Sequence, residues 1–526
     1  MYVSDNKHHT LCGIGIGSSI ENSVFNVKCV TFIVKSIVMM KLKNSYLITL
    51  ILLVSGSLCQ SQNIKYGSYA VGFKYFKTYD ESRRYILNND TISRPLLLHF
   101  WYPSDDQDKN DSYYFKHYID LISIRENFNK PQSEIDANSF DFVNAYAGFA
   151  KQRLGIDSSM TTQQILDCPV LAQYGIPLAK SNEKFPLIIY APSNSKSAIQ
   201  NHVICEYLAS YGYMVISVGS AGSESINRKN DQQSIWAQVE DMEFILHYIE
   251  DSLKIEFAGL GLFGFSTGGL ATTIFQMNND KVKAVFSMDG SQEYGSYITL
   301  FNAEGFDLSK TNVPYGLVVN NYENFSNYPF YSSIVSNEKQ LFRMPHLDHN
   351  GFVSFWKFFD LCSSSPKVNK ICTSYDYICS TALVFFNSYL ANNPSDFRIQ
   401  TNEYIKTDTC DNAMVGQLGN TILTFNIDSA MRFVNKHQEV FKSKENEMNL
   451  LSRMFRDSDA NVSIQLLLFN MEMHPDSWQP LYELAYTYKV NGDLKLAKET
   501  VLKAQQLDPE NSEITRLLEE INKAKK

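Results

Sequence analysis

The most constraining feature of this sequence is the alternation of short apolar runs with helical patterns between residues 185 and 390. Runs such as FPLIIYAP (185–192) and GLGLFGF (259–265) are continuously apolar, which is typical of strands buried on both faces of a sheet. The segments between these runs repeat their apolar residues at helical spacing. Strands and helices that alternate in this way predict an α/β fold with a doubly wound, mainly parallel sheet.

The flanking sequence differs in composition, and this sets the expected domain boundaries. We predict one α/β domain over 62–395, in which 103–182 is polar, patchily helical and reads as an insertion or lid; a plain surface excursion is the alternative. Residues 396–439 are expected to be a linker. Residues 440–526 contain no strand-like run and predict a small all-α domain.

The helical tail resembles tetratricopeptide repeats. The segment WQPLYELAYTYKVNGDLKLAKETVLKAQQLDPEN (478–511) has Leu, Ala, Tyr and Pro at the positions typical of such a repeat, namely Leu484, Ala485, Tyr488, Ala497, Ala504 and Pro509. One 34-residue period earlier, Leu450 and Pro475 occupy the matching positions. The resemblance implies a surface for a protein partner; an unrelated helical hairpin is the alternative.

Residues 40–61 have the layout of a secretory signal peptide. Two lysines, Lys41 and Lys43, precede an apolar run that ends at Val54, and small and polar residues follow. We therefore expect export to the periplasm or the medium, with Met40 as the true start and residues 1–39 as an upstream artefact. A retained membrane anchor is the alternative, although the run is short for a membrane span.

Charge and cysteine content exclude some classes of function. The net charge of −9 and the lack of a basic stripe argue against nucleic-acid binding. In an oxidising compartment Cys362, Cys372 and Cys379 lie close enough in sequence to supply a local disulfide, whereas Cys205 lies in an apolar helical stretch and is expected to be a buried thiol. No spacing of Cys and His is typical of a metal site, and neither a metal nor another cofactor is expected.

The sequence LFGFSTGGLA (262–271) contains the candidate nucleophile. Gly264, Ser266 and Gly268 form a G-x-S-x-G motif that ends a predicted buried strand and begins a predicted helix. Such a turn exposes the serine hydroxyl, and the helix N-terminus beside it provides free amides for an oxyanion. A glycine-packed turn with an incidental serine is the structural alternative.

A serine hydroxyl needs a base, and the base needs an orienting acid. In this kind of fold the chain order is serine, acid, histidine. The candidate bases are His346 and His349, both in the loop MPHLDHNGFVSFW. The candidate acids are Asp289, at the end of the strand AVFSMD, and Glu323, after the next strand.

Longer stretches of the chain resemble the platelet-activating-factor acetylhydrolase and dienelactone-hydrolase-like branch of the α/β-hydrolases. RPLLLHFWYP (94–103) is similar to an early strand of that branch, and residues 185–218 are similar to its oxyanion strand, helix and following strand. The resemblance covers roughly residues 65 to 390. It implies a serine hydrolase acting on an ester or lipid-like small molecule with a small acyl group.

The same resemblance selects among the candidate site residues. In the acetylhydrolases the acid follows the serine by about two dozen residues, and Asp289 follows Ser266 by 289 − 266 = 23. Their histidine is followed by phenylalanine three and six residues later, as His349 is by Phe352 and Phe355. The resemblance therefore implies the triad Ser266, Asp289 and His349, with Glu323 and His346 as the alternates.

The expected oxyanion loop departs from that pattern. The branch usually has His-Gly there, whereas this chain has APSNS (191–195). The match places the backbone amide of Asn194 beside that of Thr267 in the oxyanion hole, and the lost glycine makes a narrower or weaker activity the expectation. Other functions remain open: a peptidase, a deacetylase, or a degenerate hydrolase fold that binds a partner through the repeat tail.

Overall fold

The structure is a computed structural model. The residues that it describes are 64–106, 113–154, 161–194, 196–228, 232–293, 305–320, 330–331, 334, 336, 338–360, 365–391, 399, 401–407, 418–419, 421, 426–456 and 459–524. The predicted signal peptide and the segment before it lie outside these residues. Structural statements below refer to the described residues only.

Ten strands among the described residues form one sheet at the centre of the α/β region. The strands are β1 (Ala70–Leu87), β2 (Asp90–Ser104), β3 (Ala172–Tyr174), β4 (Leu187–Ala191), β5 (Met214–Val218), β6 (Leu260–Phe265), β7 (Val282–Met288), β8 (Tyr315–Val319), β9 (Lys339–Arg343) and β10 (Lys406–Thr407). Their order across the sheet is β10-β9-β8-β7-β6-β4-β5-β2-β1-β3.

The strand directions confirm the predicted fold class. Strands β4 to β9 are parallel to one another, whereas β2 runs antiparallel to both β1 and β5. This is an α/β-hydrolase fold, with β6 near the middle of the sheet. The sequence did not predict β3, β9 and β10. Strands β3 and β10 are only three and two residues long, and β9 begins with the polar pair Lys339-Gln340.

Fifteen α-helices are found among the described residues. In the α/β region they are α1 (Phe115–Ser123), α2 (Gln132–Leu154), α3 (Thr162–Leu166), α4 (His202–Ser210), α5 (Gln232–His247), α6 (Gly268–Asn278), α7 (Trp356–Asp360) and α8 (Pro366–Tyr389). The segment YDYICSTALVFFNSYL (375–390) has a helical pattern and predicts a helix. Helix α8 begins nine residues before this segment, at a proline whose fixed φ suits the first helical position.

The helices cover both faces of the sheet because successive strand residues point to opposite sides. Ile188 and Tyr190 of β4 belong to an apolar cluster that includes α4, α8 and the segment between β2 and β4. Leu187 and Ile189 of the same strand belong to a second cluster, which is packed by α5 and α6. Strands buried on both sides explain why the sequence shows continuous apolar runs rather than alternation.

Strand β2 attaches neighbouring elements through its polar side chains. Arg94 is buried and donates to both carboxylate oxygens of Asp241 on α5, each at 2.7 Å. Asp241 also accepts from Arg83 at 2.7 Å, so the costly loss is that of Asp241: it would leave the buried Arg94 without its carboxylate, at a cost of about 3–5 kcal/mol. The arginine of RPLLLHFWYP therefore fixes α5 against the edge of the parallel strands.

The predicted insertion follows the end of β2 and contains α1, α2, α3 and β3. The indole of Trp101 donates to the hydroxyl oxygen of Tyr118 on α1 at 2.7 Å, and that hydroxyl donates to Glu206 on α4 at 2.8 Å. Burial raises the pKa of Glu206 to about 7. This buried chain of hydrogen bonds links the insertion to a helix that packs on the sheet.

Residues 426–524 are helical wherever they form regular structure. The helices are α9 (Ile427–Lys436), α10 (Gln438–Phe441), α11 (Glu445–Arg456), α12 (Ala460–Met473), α13 (Trp478–Val490), α14 (Leu494–Leu507) and α15 (Ser512–Ala524). Helices α13 to α15 share one apolar cluster, in which Ala485, Ala497 and Ala504 are fully buried. The described residues after 440 contain no strand, as the sequence predicts.

Two cysteine predictions have different outcomes. Cys205 is a buried thiol on α4, as predicted. Cys379 on α8 is also a buried free thiol, so a local disulfide that includes it is not formed. Cys362 lies outside the described residues. None of the described helices combines the length and apolar character that a membrane span requires.

Candidate active site

Ser266 occupies a strained turn between β6 and α6. Its φ is +55°, in the left-handed region that non-glycine residues rarely adopt. The backbone amide of Ser266 donates to the carbonyl of Met288 on β7 at 3.1 Å, which ties the turn to the neighbouring strand. The G-x-S-x-G segment is therefore a strand–turn–helix elbow of the predicted kind.

The glycines of this motif are required by close backbone approach. A Cβ atom at Gly268 would lie 2.0 Å from the carbonyl oxygen of Ala191, at the end of β4. A Cβ atom at Gly264 would lie 2.7 Å from the hydroxyl of Thr272 and 2.9 Å from the carbonyl carbon of Gly268. Neither contact is sterically allowed, so both positions exclude side chains.

Asp289 is placed beside Ser266 by the register of two adjacent strands. Phe265, the last residue of β6, pairs with Met288, the last residue of β7. Ser266 and Asp289 directly follow these two strand ends. Asp289 also has a positive φ, +46°, and its side chain is fully buried. Its Oδ1 accepts from the backbone amide of Asn320 at 3.1 Å, and the side-chain amide of Asn320 donates to Oδ1 and Oδ2 at 3.2 and 3.0 Å.

His349 joins the serine to the aspartate. Its Nε2 lies 2.9 Å from Ser266 Oγ, and its Nδ1 lies 2.5 Å from Asp289 Oδ2. The ring of Phe265 stacks against the imidazole with centroids 5.3 Å apart, and the ring of Phe352 also stacks against Phe265 with centroids 6.4 Å apart. The phenylalanine three residues after the histidine thus helps to hold the turn that carries it.

The electrostatic environment keeps His349 a stronger base than a free histidine. Burial lowers the pKa of His349, but the hydrogen bond and charge of Asp289, together with the charge of Asp348, outweigh burial and raise it. With its Nδ1 proton donated to Asp289, the neutral imidazole presents an unprotonated Nε2 to Ser266. This arrangement allows Nε2 to accept the hydroxyl proton.

The candidate oxyanion residues follow paired positions of two adjacent strands. Ala191 of β4 pairs with Gly264 of β6, and Asn194 and Thr267 each come three residues later. The side-chain amide of Gln238 donates to the carbonyl of Pro192 at 2.9 Å and so anchors the start of the APSNS loop. The loop and the N-terminus of α6 therefore lie next to each other, as the close approach at Gly268 also requires.

The two alternate residues have different positions. His346 lies near His349 in sequence, but its ring packs edge-on against Tyr404 with centroids 5.2 Å apart. Its Nε2 has no hydrogen-bond partner among the described residues. The structure therefore brings His349, and not His346, to the serine. Glu323 lies outside the described residues.

Sequence reasoning missed the residues that support the site. Asn320 orients Asp289, Gln238 anchors the oxyanion loop, and Asp348 caps the turn of His349 by accepting from the amides of Asn350 and Gly351. Only Asp348 has a local signal, since an Asp before a short turn is a common cap. Among the described residues, no group of three or more His, Cys, Asp or Glu is arranged to bind a metal.

The sequence matches no known protein family and no curated protein. Its structure is similar to a ferulic acid esterase from Streptomyces cinnamoneus, with 15% identity over 64% of this chain and 96% of that chain and a TM-score of 0.46. It is also similar to the Pyrococcus horikoshii acylaminoacyl peptidase, with 11% identity over 62% of this chain and 43% of that chain and a TM-score of 0.35. The chain thus spans less than half of the peptidase. Likenesses this distant carry no argument about activity.

Proposed function

We propose that this protein is an exported serine hydrolase that cleaves an ester with a small acyl group. The observation that carries the proposal is the unbroken chain from Ser266 Oγ to His349 Nε2 at 2.9 Å and from His349 Nδ1 to Asp289 at 2.5 Å. The strained φ of Ser266 supports the same role, since backbone strain of this kind collects at functional sites.

The proposed reaction proceeds through an acyl-enzyme. Ser266 Oγ attacks the ester carbonyl while His349 Nε2 takes the hydroxyl proton, and the oxyanion accepts hydrogen bonds from the amides of Asn194 and Thr267. The carbonyl re-forms, the C–O bond to the leaving group breaks, and His349 returns its proton to the leaving alcohol. Water then repeats these steps on the acyl-enzyme and releases the acid, while Asp289 remains ionised throughout.

Hydrolysis of p-nitrophenyl acetate tests this proposal directly. Ser266→Ala removes the nucleophile and is expected to lower kcat by about 10⁶-fold, to the level left by binding and the oxyanion hole. A fluorophosphonate probe is expected to label the wild type at Ser266 and to leave the folded variant unlabelled. Persistent turnover by the Ala variant would overturn the assignment of the nucleophile.

The acetylhydrolase-like branch is our proposal for the substrate class. Its support is that the histidine chosen by the spacing of that branch is hydrogen-bonded to Ser266, and the chosen acid is hydrogen-bonded to that histidine. A peptidase or a deacetylase remains the competing hydrolase. A panel of short and long p-nitrophenyl esters, aminoacyl anilides and acetylated sugars separates them, because the proposal requires the highest kcat/KM on short-chain esters.

We also propose that residues 440–526 form tetratricopeptide-like repeats that bind a protein partner. Pro475 and Pro509, 509 − 475 = 34 residues apart, each follow the end of a helix by two residues. Helices α11, α13 and α15 border a groove of about 480 Å³, lined among others by Arg453, Trp478 and Tyr482. Peptides that bind the wild-type chain should bind a folded Arg453→Gln variant less well, because this change removes a positive charge from the groove while Arg456 still pairs with the buried Glu483.

This groove also favours the second candidate function, a hydrolase fold that acts only as a binding protein. The fluorophosphonate probe distinguishes the two functions. A folded wild type that remains unlabelled, yet retains groove-dependent peptide binding, would support the binding protein and refute the enzyme.

A further inference from the structure

The turn that carries His349 is capped by the residue immediately before it. Asp348 accepts hydrogen bonds through Oδ1 from the backbone amides of Asn350 at 3.0 Å and Gly351 at 3.2 Å. These bonds define the single turn from His349 to Phe352, and so they orient the imidazole toward Ser266. The other oxygen of the same carboxylate faces away from these amides and takes a different partner.

That partner is Arg153, which lies at the end of α2 in the insertion. Its guanidinium forms an ion pair with Asp348 Oδ2. The guanidinium carbon also lies 5.8 Å from the ring centre of Phe149, one helical turn earlier, which holds the arginine against its own helix. The ion pair spans 195 positions in the sequence and joins the insertion to the histidine turn.

Apolar contacts bring α2 to the same place. Tyr146 packs its ring against Phe355 at 5.0 Å, Trp356 at 5.8 Å and Phe359 at 6.0 Å, all in the segment that follows the histidine turn. The helix therefore has a fixed position relative to this segment. These contacts place Arg153 next to the histidine turn, so its position does not depend on the flexibility of its side chain alone.

We propose that Arg153 is a positioning residue for the reaction proposed above: it holds Asp348, and through Asp348 the turn that aims His349 at Ser266. The inference rests on the proposed function. It gives the insertion a role in orienting His349, in addition to its predicted role as a lid. Among the described residues, Asp289 and Asp348 are negatively charged side chains that raise the pKa of His349, and Arg153 partly neutralises Asp348.

The charges give a readout that a purely structural contact would not change. Without Arg153, the carboxylate of Asp348 is uncompensated and stabilises protonated His349 more strongly. The acid limb of the kcat/KM–pH profile should then move upward by about half a pH unit, as expected for a partly exposed charge pair. At pH 6 this shift, together with a looser turn, should lower kcat/KM by about tenfold.

The experiment compares Arg153→Gln, Arg153→Lys, Asp348→Asn and Lys116→Gln with the wild type. Lys116→Gln is the matched control, because Lys116 is also 30% exposed and pairs two insertion helices through Asp136, away from the histidine turn. Arg153→Lys keeps the positive charge. Asp348→Asn keeps a side-chain acceptor for the cap but removes the negative charge. Thermal unfolding establishes that each variant is folded.

We expect the acid limb of the kcat/KM–pH profile to move to higher pH in Arg153→Gln and to lower pH in Asp348→Asn. The profiles of Arg153→Lys and Lys116→Gln should stay close to that of the wild type. A profile for folded Arg153→Gln that coincides with Lys116→Gln would overturn the proposal. Should Arg153→Gln fail to fold, an unmoved acid limb in Asp348→Asn would overturn it as well. Loss of the proposed function is distinguishable, because the wild type would then be inactive and would not react with the fluorophosphonate.

Discussion

Replacing Asp289 by asparagine should disable the base while the backbone around it stays in place. The side-chain amide of Asn320 then keeps its hydrogen bond to the Oδ1 position and loses the one to Oδ2. The backbone amide of Asn320 donates to Oδ1 at 3.1 Å and cannot rotate away, so the carbonyl of the substituted amide must stay at the Oδ1 position. Its NH₂ group then replaces Oδ2, which lies 2.5 Å from His349 Nδ1. A donor at this point can be satisfied only if Nδ1 becomes the acceptor, which moves the imidazole proton to Nε2.

The size of the effect follows from that tautomer. A histidine that carries its proton on Nε2 cannot accept the proton of Ser266, and a change of this kind costs about 10⁴-fold in kcat, or about 5 kcal/mol of transition-state stabilisation. The loss should appear in kcat rather than in KM, since Asp289 is fully buried behind the histidine.

The assay is the hydrolysis of p-nitrophenyl acetate, with Ser266→Ala as the blank. Asp307→Asn is the matched control, because Asp307 accepts from Ser309 at the start of a short turn and asparagine can replace it as a cap. We expect the control to match the wild type. If folded Asp289→Asn kept its kcat within tenfold of the wild type, our account of the acid would be refuted.

Three further outcomes are expected. The acid limb of the wild-type kcat/KM profile should have its midpoint above the ordinary pKa of histidine, because the raised pKa of His349 means that the neutral base is lost earlier as the pH falls; a midpoint below the ordinary histidine pKa would contradict this. Gly268→Ala should lower the free energy of unfolding by about 1–3 kcal/mol in urea titrations, since its Cβ would lie 2.0 Å from the carbonyl oxygen of Ala191; Gly148→Ala, at a position with no atom within 4 Å of the Cβ, is the control. Glu323→Gln should keep kcat/KM within about threefold of the wild type, since Asp289 already orients the histidine, and a larger loss would move the acid role to Glu323.

Local sequence signals predicted the elements around the serine well. The helix predicted over GGLATTIFQMN has the observed bounds, Gly268–Asn278, because an apolar strand, a pair of glycines and a helical repeat follow one another without interruption. Ser266, Asp289 and His349 were also named from the sequence, and the structure places them in contact. Their catalytic roles remain predictions.

Local sequence signals could not predict the contacts between distant segments of the chain. Strand β9 (Lys339–Arg343) begins with two polar residues, so its own sequence does not predict a strand. It forms a strand because β8 offers a parallel edge to it. The pair of Arg153 and Asp348 joins residues 195 positions apart, and nothing in either local segment specifies the other. The insertion could be recognised by its composition, but its place beside the histidine turn depends on aromatic packing that the sequence alone does not reveal.

The strand register at the site has a consequence for how activity is acquired during folding. Ser266 and Asp289 become neighbours as soon as β6 and β7 pair, because each directly follows a paired residue. The histidine, by contrast, comes into place only after β8 and β9 have joined the sheet, because it follows the end of β9 by six residues, and its turn also contacts the insertion. These contacts join segments that are far apart in the sequence, and each such closure costs chain entropy. In a refolding experiment, the circular dichroism of the sheet should therefore recover before ester hydrolysis does, with the arrival of His349 as the last step.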